Sequence, residues 1–241
     1  HLLYHPDRLR ISPSEAGLRN VSEKEIPTAD GTKILTWWAK AQPQKYTLLY
    51  FHGNAGSLSS RSERIKEFTD KGYGIVMMTY RGYSGSEGIP SENINISDGR
   101  LVYETLRQVG IPSNQIILYG ESLGTGVALQ IADEKPVAGL ILDAPYTSMV
   151  DLAALHYPWL PARFLMKDRY ENLKFARLIS VPLLVLHGEA DSVVPVDMGK
   201  TIASAVKGPS KFVTFPEAGH SNHYEFGSFK VICNWLQDLS K

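Results

Sequence analysis

The 241-residue chain has no surplus of charge of either sign: 25 Lys and Arg stand against 25 Asp and Glu. A chain with no net charge carries no overall electrostatic footprint for nucleic acid or an anionic membrane, and no nucleic-acid partner is expected. Cysteine is almost absent. The single Cys233 cannot close an internal disulfide, and every zinc pattern that needs a cysteine pair fails with it. No apolar run approaches the ~18 residues of a membrane span. Internal repeats, low-complexity tracts and long charged linkers are also missing. Hydrophobic residues at 43% and charged residues at 21% exclude disordered and collagen-like classes. The length suits one large α/β or all-β domain, taken here as residues 1–241.

What is present is a regular alternation. Val21–Pro27 and Lys33–Ala39 read as strands joined through Ala29-Asp30-Gly31, where Asp-Gly signals a hairpin. Tyr46–Phe51, Gly74–Tyr80, Gln115–Tyr119, Val137–Leu142, Val181–Leu186 and Lys211–Phe215 are short, continuously apolar runs. Continuous rather than alternating apolarity suits strands covered on both faces, as in a parallel sheet. Pro90–Val109 reads as a helix with Ile94, Leu101, Val102, Leu106 and Val109 near one face. Phe229, Ile232, Trp235, Leu236 and Leu239 outline an amphipathic closing helix. The expected fold is α/β: a mostly parallel sheet of about eight strands, an antiparallel N-terminal hairpin and helices on both faces. One segment breaks the rhythm. Residues 144–180 carry Met149, Leu152, Leu155, Tyr157, Trp159, Leu160, Phe164, Leu165 and Met166, and read as a crossover that doubles as a small cap.

Chemistry in such a sheet sits beyond the carboxyl ends of its strands. Gly120-Glu121-Ser122-Leu123-Gly124 lies between the run Ile116–Tyr119 and the helical stretch Thr125–Ala132. A G-x-S-x-G turn in strand–turn–helix context exposes its serine hydroxyl, so Ser122 is the candidate nucleophile. A serine needs a base to take its proton. Of seven histidines, His1 and His5 are N-terminal, His156 lies in the cap, and His52 and His187 each end a strand before Gly. His220 follows the last strand in Glu217-Ala218-Gly219-His220, which makes it the candidate base, with His223 its competitor. A metal bound by the pair His220 and His223 lacks a third ligand, and no metal is expected. Asp191, just past Val181–Leu186, is the candidate acid; Asp143, at the end of the preceding strand, is its rival. The chain order Ser122, Asp191, His220 is the one this fold uses.

Phe51-His52-Gly53-Asn54-Ala55-Gly56, Tyr80-Arg81-Gly82-Tyr83-Ser84-Gly85-Ser86-Glu87-Gly88, the serine turn, His187-Gly188-Glu189-Ala190-Asp191 and Ala218-Gly219-His220 together resemble the α/β-hydrolase superfamily. The resemblance runs from about Glu25 to the end, and is nearest to small, minimally capped bacterial esterases and acyl-protein thioesterases. It implies an oxyanion hole formed by the backbone N–H groups of Leu123 and Asn54, no cofactor, and a small-molecule ester as substrate. An Asn54 that serves only as a turn former is the alternative. Tyr83 and Met149 are candidate substrate contacts. Members of that branch often begin with a membrane anchor, so membrane association is expected through a trimmed segment ahead of His1, with a cytoplasmic location otherwise. The expected activity is hydrolysis of short- to medium-acyl carboxylic esters. Thioester hydrolysis or lipolysis near a membrane, peptide hydrolysis, and a non-catalytic binding role are the alternatives.

Overall fold

The computed structural model describes residues 3–159 and 161–240. His1 and Leu160, named above, lie outside them. The fold is α/β, with a mostly parallel eight-stranded sheet that begins antiparallel. Two compact units divide the chain: residues up to Tyr119 with Pro136–Ala138, and Gly120–Lys135 with Gly139 onward.

The first unit holds β1 (His5–Pro6), β2 (Ser22–Pro27), β3 (Lys33–Ala39), β4 (Thr47–Phe51), β5 (Ala55–Gly56), α1 (Ser62–Asp70), β6 (Gly74–Met78), α2 (Glu92–Gln108) and the start of β7 (Ile116–Glu121). β2 and β3 form the expected hairpin, with Ile26 opposite Ile34. Gly31 sits at φ +84°, and Asp30 Oδ1 accepts from the Thr32 amide at 3.0 Å, which is why Asp-Gly closes this turn. β3 pairs antiparallel with β6, and β6 parallel with β4. All five residues of β4 and of β6 are buried, as their unbroken apolarity requires. In α2 Ile96, Val102, Tyr103 and Leu106 are buried, so Val102 and Leu106 of the expected face are in the core, whereas Ile94 and Leu101 are half-buried and Val109 is exposed. The helix begins at Glu92, capped by Ser91 Oγ on the Ile94 amide, and ends before Val109, which is 57% exposed. Ile94 lies about 200° round the helix from Ile96, off the buried stripe, and Val109 falls past the last helical residue.

The second unit holds α3 (Gly124–Glu134), β8 (Gly139–Asp143), α4 (Met149–His156), α5 (Ala162–Leu165), α6 (Asn172–Ala176), β9 (Leu183–Gly188), α7 (Val196–Ala205), β10 (Ser210–Phe215) and α8 (Ser228–Asp238). β8 and β10 flank β9, both parallel to it. β8 and β9 are buried throughout, whereas β10 exposes Ser210 and Lys211 at its start. α8 buries Ile232, Trp235 and Leu236, three of the five positions its spacing marked. The cap comprises three short helices, α4 to α6. Met149 and Val150 are buried there, but Leu155, Tyr157, Trp159, Phe164 and Leu165 are 53–89% exposed. These five side chains of the segment read as a cap face solvent.

Candidate active site

Ser122 occupies the turn between β7 and α3 with φ +49°, a left-handed conformation that a non-glycine residue keeps only when its surroundings impose it. Its amide donates to the Asp143 carbonyl at 2.8 Å, and its carbonyl accepts from the Thr125 amide at 2.9 Å and from Thr125 Oγ1 at 2.6 Å. Two positions earlier, a Cβ on Gly120 would stand 2.6 Å from the Gly124 oxygen and the Thr125 Cα. Those are backbone atoms that cannot give way, so the sharp turn demands glycine. Leu123 follows at the first turn of α3, where backbone N–H groups have no intrahelical acceptor.

The loop after β10 reaches Ser122 because it lies directly on the end of β9. A Cβ on Gly188 would sit 2.2 Å from the Ala218 oxygen, and the Ala190 amide donates to that same oxygen at 3.0 Å. Asn222 Oδ1 accepts from the Gly219 amide at 2.8 Å and shapes the turn that presents His220. His220 Nε2 stands 2.9 Å from Ser122 Oγ, and His220 Nδ1 stands 2.8 Å from Asp191 Oδ2. The Asp191 side chain has no exposed surface, and its Oδ1 accepts from the Val193 and Val194 amides at 2.8 Å each.

Burial alone would push the Asp191 pKa up. Hydrogen bonds from His187 and His220, the charge of His220 and the Val194 amide outweigh it and hold the carboxyl well below the usual carboxylate range. Asp191 is thus an anion facing an imidazole, which it fixes as the Nδ1–H tautomer, leaving Nε2 as the acceptor beside a serine hydroxyl. Chemically, this set can withdraw a proton from an attacking oxygen and return it to a leaving group.

Residues 46–181 match the family described as alpha/beta hydrolase fold. An uncharacterised protein of Mycobacterium tuberculosis is 32% identical over 224 residues, spanning 92% of this chain and 80% of that one. The chain is an α/β-hydrolase. Its fold resembles an esterase of Pyrococcus furiosus at TM-score 0.79 and 19% identity, over 98% of this chain and 100% of that one. A lysophosphatidylserine lipase of Danio rerio is 35% identical over 191 residues, which are 70% of this chain and half of that protein.

Elsewhere in the hydrolase, the competing residues are found together. His223 Nδ1 is 2.7 Å from Asp143 Oδ1, both side chains being almost fully buried, and the His223 ring stacks on Phe215. His187 has a part that its position before a glycine did not reveal. Fully buried, its Nε2–H donates to the Val194 carbonyl at 2.8 Å and lies 3.4 Å from Asp191 Oδ2, so it backs the carboxylate and the loop that carries it. The signal was the spacing: four residues before Asp191 at the end of a strand.

Asn54, in the first unit, is held on all sides. Its carbonyl accepts from the His5 amide at 3.0 Å and the Tyr83 hydroxyl at 2.7 Å, and its Nδ2 donates to the Leu3 carbonyl at 3.0 Å. The Gly53 carbonyl, on the peptide that carries the Asn54 N–H, lies 2.6 Å from His52 Nδ1. Tyr83, expected as a substrate contact, is fully buried; burial pushes its pKa up to about 12, and it serves as a neutral donor that braces the Asn54 loop. Met149 is 6% exposed, with its amide donating to the Arg169 carbonyl within the cap. Among the described residues no three side chains are grouped to hold a metal ion, and no helix is long and apolar enough to cross a membrane.

Proposed function

We propose that this α/β-hydrolase is a serine esterase acting on carboxylic esters through an acyl-enzyme. The observation that carries the reading is the continuous contact from Ser122 Oγ through His220 to the buried Asp191 carboxylate. Ser122 attacks the ester carbonyl as His220 Nε2 takes its proton. The imidazolium, stabilised by Asp191, gives that proton to the departing alcohol. Water then enters with His220 again as base, and Ser122 leaves with its proton restored. The Leu123 amide, adjacent to the nucleophile, is assigned as one oxyanion donor and the Asn54 amide as the other. The short cap supports short- to medium-acyl substrates, and the esterase and lipase among its relatives support ester rather than amide cleavage. A second reading, lipolysis or thioester cleavage beside a membrane, is favoured by the exposed apolar side chains of the cap.

A fluorophosphonate probe tests the nucleophile: it labels the wild-type chain at Ser122 and leaves Ser122→Ala unlabelled. A panel of p-nitrophenyl esters set against aminoacyl anilides then tests the bond cleaved. Faster anilide cleavage, or no labelling, removes the esterase reading.

A further inference from the structure

The chain as a whole is neutral, but its cap is not. Residues 144–180 contain Arg163, Lys167, Arg169, Lys174 and Arg177 against Asp151, Asp168 and Glu171. Arg163, Arg169, Lys174 and Arg177 line a cavity of about 300 Å³ between the start of α4 and the helices α5 and α6. At its wall Arg169 is paired with Glu171 at 3.2 Å and Asp151 accepts from Thr147 Oγ1 at 2.9 Å, so cations still outnumber acids there by four to two. Among the described residues the two most exposed large apolar side chains are in this cap, Phe164 at 89% and Trp159 at 77%, and Leu155, Tyr157 and Leu165 are exposed beside them. The Tyr157 and Trp159 rings meet edge to face at 6.2 Å.

We propose that the cap is a docking surface for an anionic phospholipid bilayer. The apolar side chains enter the boundary between head groups and acyl chains, while the arginines and lysines meet lipid phosphates. Exposed aromatics interleaved with cations suit this interface, where the ring buries its body and keeps its polar edge wet. A second copy of the chain is a poorer occupant, because the core of a protein–protein interface is depleted of lysine and charge. Arg163 and Lys167 are exposed on either side of the exposed Phe164 and Leu165 in the sequence, so cations and apolar anchors are both open to solvent in this stretch.

The four tryptophans make the test direct. Trp37, Trp38 and Trp235 are at most 9% exposed, so a change in emission on adding vesicles reports Trp159. Vesicles of phosphatidylcholine with and without phosphatidylserine are added to the intact chain, with sedimentation read in parallel. The expected result is a blue shift and co-sedimentation that require phosphatidylserine. Phe164→Ser with Leu165→Ser abolishes both. Arg163→Gln and Lys167→Gln each weaken partitioning about fivefold, from about 1 kcal/mol per cation near an anionic surface. The proposal is overturned by binding that is absent, by binding indifferent to phosphatidylserine, or by a dimer in light scattering that Phe164→Ser converts to monomer. None of these readings needs turnover, and the Ser122→Ala chain must bind as the wild type does. Loss of the esterase reading and loss of this one are therefore separate results.

Discussion

His223 and Asp143 are bound to each other, Nδ1 to Oδ1 at 2.7 Å, with 1% and 2% of their side chains exposed. By type and position these two compete with His220 and Asp191 for the roles of base and acid, and the folded chain places them against one another. Asp143 also accepts the Ser122 amide through its carbonyl at 2.8 Å. His223 lies three residues from His220, whose Nε2 reaches Ser122 Oγ. The pair thus ties the loop carrying the candidate base to the strand end that supports the nucleophile.

From this follows a contrast between the two histidines. Ser122→Ala and His220→Ala are expected to be comparably inactive toward p-nitrophenyl butyrate, since members of a triad act as a unit and their losses do not add. His223→Ala removes one partner of a buried pair, a change that destabilises by about 3–5 kcal/mol, yet spares the reacting atoms. Assayed well below its lowered melting temperature, it should retain turnover. A folded, inactive His223→Ala beside an active His220→Ala would reverse the assignment.

The carboxylates separate in the same way. Asp191→Asn can still accept the Val193 and Val194 amides, but its amide nitrogen facing His220 enforces the wrong imidazole tautomer; turnover should fall by about 10³–10⁴. Asp143→Asn keeps an acceptor for His223 and should change turnover little. Comparison of kcat and melting temperature for the two purified variants checks both. A stable, inactive Asp143→Asn would make Asp143 the working acid.

Acid should reveal Asp191 through stability. Its carboxyl is held well below the usual range in the folded chain, whereas the unfolded chain protonates it at about pH 4. The unfolded state therefore binds the extra proton first as pH falls. The stabilisation is complete above about pH 4 and is lost progressively below it. Melting temperature followed from pH 6 to pH 2 should fall less steeply for Asp191→Asn than for the wild type. Parallel curves would show that Asp191 does not carry this linkage.

Much of this site is visible in the sequence because its parts are local. The serine turn needs only Gly120, Ser122 and their neighbours, and the strands are continuous apolar runs with no competing period. Strand ends are harder to place. β9 continues through His187 and Gly188, which pair with Thr214 and Phe215, because ladder hydrogen bonds belong to the backbone and do not depend on side-chain polarity. His187 is only four residues from Asp191, but what holds its ring in place is a tertiary contact: it packs on Gly199, where a Cβ would come within 2.3 Å of Nδ1. Nothing local to residue 187 encodes that neighbour. The strand β1, two residues long and paired with β5, carries no periodic pattern at all, although it helps to hold Asn54. The cap shows the opposite limit. Its apolar residues stand out in the sequence, but helices of four to eight residues have too few turns to tell an inward face from an outward one.

That outward face bears on acyl-chain length. Each methylene buried contributes about 0.8 kcal/mol, or about fourfold in kcat/KM, for as long as apolar lining continues. Leu155, Tyr157, Trp159, Phe164 and Leu165 point to solvent and provide none. Rates for p-nitrophenyl esters should therefore climb from acetate to about hexanoate and decline by decanoate, at fixed sub-micellar concentration and without vesicles. Phe164→Ser should leave this profile unchanged, since the side chain is turned away from any bound acyl group. A maximum at palmitate, or a profile shortened by Phe164→Ser, would mean that the cap closes inward over the substrate during turnover, and the short- to medium-acyl reading would give way to lipolysis.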